Sequence, residues 1–152
     1  MEMPIDTSED LTEMAAACYP LARVAITAIK NDVLELIADE HRESAQALLM
    51  NLEQGDTFKT ANLDLLPALI KALDAQIAKG TRYETFYDNS AENVSHNNSW
   101  SQTRLTLNAQ RLHSAKLHLR DLCASVYEVY DLLRAQTMIE AYRSAAPAEM
   151  RA

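Results

Sequence analysis

The sequence predicts an all-α fold: an elongated antiparallel helical bundle with a long, coiled-coil-like C-terminal helix, in a single helical domain over residues 1–152. Three observations predict it. Apolar residues recur at spacings of three and four almost throughout the chain, as they do on one face of a helix. Only two glycines are present, where a chain of this length averages about ten. The C-terminal third contains no glycine and a single proline, Pro147.

The N-terminal part of the chain predicts two helices separated by a proline. A first helix over residues 8–18 can be capped by Thr7 or Ser8, followed by acidic residues where the helix dipole favours them. Pro20 interrupts the apolar stripe, because a proline removes a hydrogen bond and clashes with the preceding turn. We therefore expect a break or kink there, followed by a long helix over residues 20–53.

A third helix is predicted over residues 63–79. Asn62 or Asp64 can supply its N-cap. Gly80 is placed to end the helix in the left-handed conformation. Residues 81–99 are rich in Asn and Ser and contain few aliphatic side chains, so we expect a loop of about 20 residues, a length that is uncommon inside compact domains and often functional.

The last helix, predicted over residues 100–145, has the clearest pattern. Ser99 and Gln102 form a capping box at its start. Apolar positions then alternate at spacings of three and four and form a heptad seam, in which Asn108 is the one polar member. The seam comprises Leu105, Asn108, Leu112, Ala115, Leu119, Leu122, Val126, Val129 and Leu133.

The length of this helix predicts the shape of the molecule. A helix over residues 100–145 would be about 69 Å long, whereas a globule of this chain length has a diameter of roughly 40 Å. The molecule is therefore expected to be elongated. Tyr127 and Tyr130 flank the seam and widen its apolar face beyond what one partner helix covers, which favours a homodimer.

The composition excludes several kinds of site. The two glycines lie too far apart for a phosphate-binding loop, a dinucleotide fingerprint or a nucleophile elbow. The Glu-x-x-His motif of di-iron bundles is absent, and the two cysteines, Cys18 and Cys123, do not make a zinc site or a disulfide framework. We therefore predict no catalytic residues, no cofactor and no metal, and expect a protein that is not an enzyme.

The charge is acidic and unevenly distributed along the chain. Residues 1–80 carry the whole net charge of −8, and residues 81–152 are neutral overall. This balance argues against nucleic acid and anionic membranes as partners. The longest apolar stretch, residues 14–29, is too short and too charged to cross a bilayer. The acidic N-terminus differs from a signal peptide, so we expect a cytoplasmic protein.

A basic run and a set of aromatic residues are candidates for binding a protein partner. Between residues 93 and 120 the chain has four cations and no acid. These cations can pair with the acidic second helix of the same chain or with an acidic partner. Aromatic residues and arginine are common anchors at interfaces, although the aromatics can instead pack the end of the bundle. The candidates are Tyr83, Phe86, Tyr87, Trp100, Arg104, Asn108, Arg111, Tyr127 and Tyr130.

The sequence therefore predicts a non-enzymatic protein–protein interaction module that acts through apolar helix faces. Its role would be that of an adaptor, a secretion or assembly chaperone, or a regulator that sequesters its partner. Two alternatives remain open. One is a helical bundle that binds a small ligand or cofactor between its helices, and the other is a helical enzyme whose site assembles only in space.

Overall fold

The computed structural model describes the backbone of residues 8–90 and 95–145 and the side chains within residues 9–78 and 107–145. Over these residues the fold is all-α and without strands, as the sequence predicts. None of the described helices combines the length and the apolar composition that crossing a bilayer requires. The elements are α1 (Ser8–Ala28), a π-helical turn (Ile29–Val33), α2 (Leu34–Leu36), α3 (Asp39–Glu53), α4 (Asn62–Ser90) and α5 (Ser95–Ala145).

The first helix does not break at Pro20, contrary to the prediction. α1 runs through this proline, which lies on an exposed side of the helix, so that water can bind the carbonyl that loses its partner. The break falls later, where Ile37 and Ala38 adopt extended backbone angles, with ψ of 149° and 145°. The predicted helices over 8–18 and 20–53 are therefore replaced by α1, the π-helical turn, α2 and α3.

Arg42 stabilises the turn between α2 and α3. Its Nη1 donates to Asp39 Oδ1 at 2.5 Å, and its Nε donates to the Leu34 carbonyl at 3.3 Å. Its Nη2 donates to the Ile37 carbonyl at 3.5 Å. Carbonyl groups at the end of a helix have no partner within the helix. The Arg42 guanidinium supplies donors to two such carbonyls at the end of α2 and ties them to Asp39, the first residue of α3.

The connection between α3 and α4 is fixed by Asn62, whose side chain is fully buried. It accepts a hydrogen bond from Asn51 Nδ2 at 2.9 Å and donates to the carbonyls of Asp56 at 2.9 Å and Thr57 at 3.0 Å. Gly55, with φ of 82°, turns the chain after α3 in the left-handed region that favours glycine. These contacts join the end of α3 to the start of α4.

α4 and α5 extend further than the sequence predicts. α4 continues through Gly80 to Ser90, and α5 begins at Ser95. The predicted loop over residues 81–99 is therefore wrong for the described part of that segment, and residues 91–94 lie outside the described residues. One glycine inside a helix costs only about 1 kcal/mol, which is too little to end a long helix at that position.

α1 and α4 both pack antiparallel to α5, and α3 packs against α1 and α4. α5 has 51 residues, which corresponds to a length of about 77 Å, so the molecule is elongated as predicted. The direction of α4 follows from the contacts of Lys116 with Asp74 and of Tyr127 with Leu63. That of α1 follows from Cys18, which lies near Glu128, and from Asp32, just past the end of α1, which bonds to Arg111.

The heptad seam of α5 is covered by helices of the same chain. Its central positions are buried in the core that α1, α4 and α5 share. Asn108 is half-buried, the Leu105 side chain lies outside the described residues, and Leu133 is 44% exposed beyond the start of α4. The seam therefore packs without a second copy, and the homodimer stays a prediction. The buried positions are Leu112, Ala115, Leu119, Leu122, Val126 and Val129.

Candidate functional site

Some of the predicted partner-binding residues can be placed and others cannot. The side chains of Tyr83, Phe86, Tyr87, Trp100 and Arg104 lie outside the described residues. The rest are on the described part of α5, where Asn108 is half-buried in the seam. The others on α5 are Arg111, Tyr127 and Tyr130.

Arg111 is bound within the chain. Its Nε donates to Asp32 Oδ1 and its Nη2 donates to Glu35 Oε2, both at 2.8 Å. Its Nη2 also donates to the Asn31 carbonyl at 2.9 Å. The hydrogen bonds with Glu35 and Asp32 raise the pKa of Arg111, so the guanidinium remains charged. The cations of the basic run are expected to pair either with acidic residues of the same chain or with an acidic partner, and Arg111 pairs within the chain.

Two tyrosines of α5 bond to the α3–α4 connection and the start of α4. The Tyr127 hydroxyl donates to the Leu63 carbonyl at 2.5 Å, and the Tyr130 hydroxyl donates to the Phe58 carbonyl. Tyr130 is half-buried against the core, whereas Tyr127 is 38% exposed. Tyr127 therefore combines a fixed hydroxyl with an accessible ring, an arrangement that is common for tyrosine at interfaces.

A groove lies between α4 and α5 beside the exposed ring of Tyr127. Its volume is about 460 Å³, and it is open to solvent. Both helices contribute apolar side chains to it, and both contribute charged ones. The groove is lined by Pro67, Ile70, Lys71 and Asp74 of α4 and by Arg120, Cys123, Ala124 and Tyr127 of α5.

The charged side chains of the groove are unbalanced. Lys116 Nζ pairs with Asp74 Oδ1 at 2.8 Å and neutralises that carboxylate. Within the part of the chain that the structure describes, Lys71 and Arg120 form no ion pair. The groove thus holds two uncompensated cations in a protein whose net charge is −8.

α5 carries a second line of apolar residues, here called the outer stripe, on the side opposite its buried seam. Its positions are separated by three, four, seven or eight residues, so they share one face of the helix. The line passes through the groove at Ala124 and Tyr127, is interrupted by the exposed Asp131, and resumes beyond the start of α4, where Met138 and Tyr142 are each 66% exposed. The outer stripe comprises Leu117, Ala124, Tyr127, Ala135, Met138 and Tyr142.

The two cysteines occupy different environments. Cys123 lines the groove and is half-buried, whereas Cys18 lies in the core without exposed surface. Burial raises the pKa of the Cys123 thiol. Burial, with a smaller effect of Glu128, also raises the pKa of Cys18. Among the described residues, no three His, Cys, Asp or Glu side chains group as metal ligands would.

Alkylation with iodoacetamide should modify Cys123 slowly and leave Cys18 protected. The thiolate is the reactive form. Because burial raises the pKa of Cys123 above the ordinary thiol value of 9.0, the rate should still be rising when the pH passes 9.0. Mass spectrometry of digested samples across a pH series measures both rates. A Cys123 rate that levels off below that pH would contradict the prediction.

No known protein family, curated protein or solved structure matches this chain. The candidate site is therefore argued from side-chain placement alone. Sequence reasoning singled out Tyr127 and included Arg120 in the basic run, but it missed Lys71, which comes near Arg120 only when α4 and α5 pack together. The outer stripe did have a sequence signal, since Leu117 and Ala124 repeat at helical spacing outside the seam.

Proposed function

We propose that this protein is a non-enzymatic protein–protein interaction module that binds a helical segment of a partner along the α4–α5 groove and the outer stripe. The observation that carries the proposal is that the groove and the outer stripe are both exposed and share the apolar side chains of Ala124 and Tyr127. Extended apolar surface on a soluble domain commonly marks an interaction site. An adaptor, a secretion or assembly chaperone, and a sequestering regulator would all use such a surface.

Helix-in-groove recognition fits the form of this surface. In that mode an amphipathic helix lays its apolar positions into a groove between helices. Ile70, Ala124 and Tyr127 would contact those positions. The hydroxyl of Tyr127 is already bonded to the Leu63 carbonyl, so binding would cost little additional ordering of this side chain. Met138 would extend the contact past the groove.

The alternative functions require a different kind of site. A small-molecule pocket encloses most of its ligand, whereas this groove is open to solvent. A nucleophilic cysteine in an enzyme has a lowered pKa, whereas burial raises the pKa of Cys123. These observations favour a macromolecular partner, which can be another protein or a second copy of this chain.

Photocrosslinking in the native cell tests this proposal. A benzophenone amino acid replaces Ala124 in the groove, and in the matched control it replaces Ala47, an exposed alanine of α3. We expect discrete protein adducts at position 124 that are absent at position 47. The mass of each adduct distinguishes another protein from a second copy. Absence of adducts at position 124, or identical adducts at both positions, would overturn the proposal.

A further inference from the structure

We infer that the segment bound in the groove is an acidic amphipathic helix, with carboxylates on both sides of its apolar stripe. This inference rests on the proposed function and gives the chemistry of the partner. The observation behind it is that Lys71 and Arg120 line the groove without an ion pair among the described residues, whereas its third charged side chain, Asp74, is paired with Lys116.

The two cations belong to opposite walls of the groove. Lys71 is on α4 and Arg120 is on α5. A helix lying between the walls would present one flank to each of them, so carboxylates on both flanks would be paired. The carboxylate of Asp74 does not oppose such a partner, because the ammonium group of Lys116 neutralises it at 2.8 Å.

The net charge of the whole chain bears on the preference of the groove for an acidic segment. With a net charge of −8, the protein as a whole repels an acidic segment, so the groove must supply the local attraction. Cations at an interface set partner choice and encounter rate through complementary charge. Two cations are too few to explain binding of nucleic acid, whose affinity depends on many phosphate contacts.

Synthetic peptides can test the inference on the full-length protein. The probe is an amphipathic peptide of about twenty residues, with leucines spaced by three and four and glutamates on both sides. The matched peptide carries glutamine in place of each glutamate. Fluorescence anisotropy measures the affinity, and protection of Cys123 from iodoacetamide reports whether the peptide occupies the groove. We expect the acidic peptide to bind at least about tenfold more tightly at low ionic strength.

Variants of the protein identify the source of this preference. Lys71→Gln combined with Arg120→Gln should weaken binding of the acidic peptide about tenfold, and the difference should shrink as salt increases. The control combines Arg23→Gln with Lys59→Gln, which removes the same charge from exposed positions that do not line the groove. It should weaken binding less than the groove variant does at the same ionic strength, because the attraction between two charges falls as their separation grows.

The possible outcomes separate the inference from the proposed function. If both peptides protect Cys123 equally, the groove binds helices without regard to charge, and only the inference fails. If neither peptide protects Cys123, the proposed function fails as well. Tighter binding of a single-stranded oligonucleotide would overturn the inference. So would protection of Cys123 without peptide in a dimer that light scattering detects, because a second copy would then occupy the groove.

Discussion

Replacing Leu119 with alanine is expected to lower the free energy of unfolding by about 3 kcal/mol, within the range of roughly 2–5 kcal/mol for a buried leucine. Leu119 has no exposed surface and lies in the middle of the buried seam of α5. The loss combines the transfer free energy of the side chain with the cavity that it leaves between packed helices. Urea denaturation followed by far-ultraviolet circular dichroism measures the change.

Leu117→Ala is the matched control, because this leucine lies two positions away on the outer stripe and is 41% exposed. Its cost should stay below about 0.5 kcal/mol. Both measurements are repeated over a range of protein concentrations. Since α1 and α4 of the same chain cover Leu119, its effect should not depend on concentration. An effect that grows with dilution would mean that the seam pairs between two chains.

The buried seam was predictable from the sequence because helical spacing is a local property. Leu112, Leu119 and Val126 recur every seven residues, and all three are buried. What covers them was not predictable, since an apolar stripe accepts a helix of its own chain or of a second chain. That choice depends on where α1 and α4 lie, which no local pattern specifies.

The helix boundaries were less predictable, because they depend on the surroundings of each residue. Pro20 and Gly80 both signal breaks in the sequence, yet α1 and α4 continue through them. The break at Ile37 and Ala38 has neither glycine nor proline to mark it. It is held by hydrogen bonds from Arg42 to the carbonyls of Leu34 and Ile37.

The candidate site was predictable only in part. Pairing of Arg111 with acidic residues of the same chain was one of two alternatives, because complementary charge alone does not identify the partner. The groove could not be inferred, since Lys71 and Arg120 are far apart in the sequence. They line the same groove only because α4 and α5 pack antiparallel in this register. The spacing of residues therefore predicts the apolar faces of the helices, and tertiary packing decides which of those faces remain exposed to solvent.

Replacing Asn62 with alanine is expected to lower the free energy of unfolding by about 3 kcal/mol, since each buried polar group left without a partner costs roughly 1–3 kcal/mol. Asn62 is fully buried and makes three hydrogen bonds. Its loss leaves the buried amide of Asn51 and the carbonyl of Thr57 without a hydrogen-bond partner, while the partly exposed carbonyl of Asp56 can bind water. Urea denaturation measures this change too.

A double-mutant cycle shows how much of that cost belongs to the pair of amides. Asn51→Ala alone should cost less than Asn62→Ala, because Asn62 keeps its two bonds to carbonyls. The double variant should cost about 1 kcal/mol less than the sum of the single variants. Each single substitution leaves the other residue's amide without its partner, whereas the double substitution removes both amides. Thr60→Ala, at an exposed position of the same connection, is the control. If Asn62→Ala cost no more than this control, packing of α3 against α4 would hold the connection without its polar contacts.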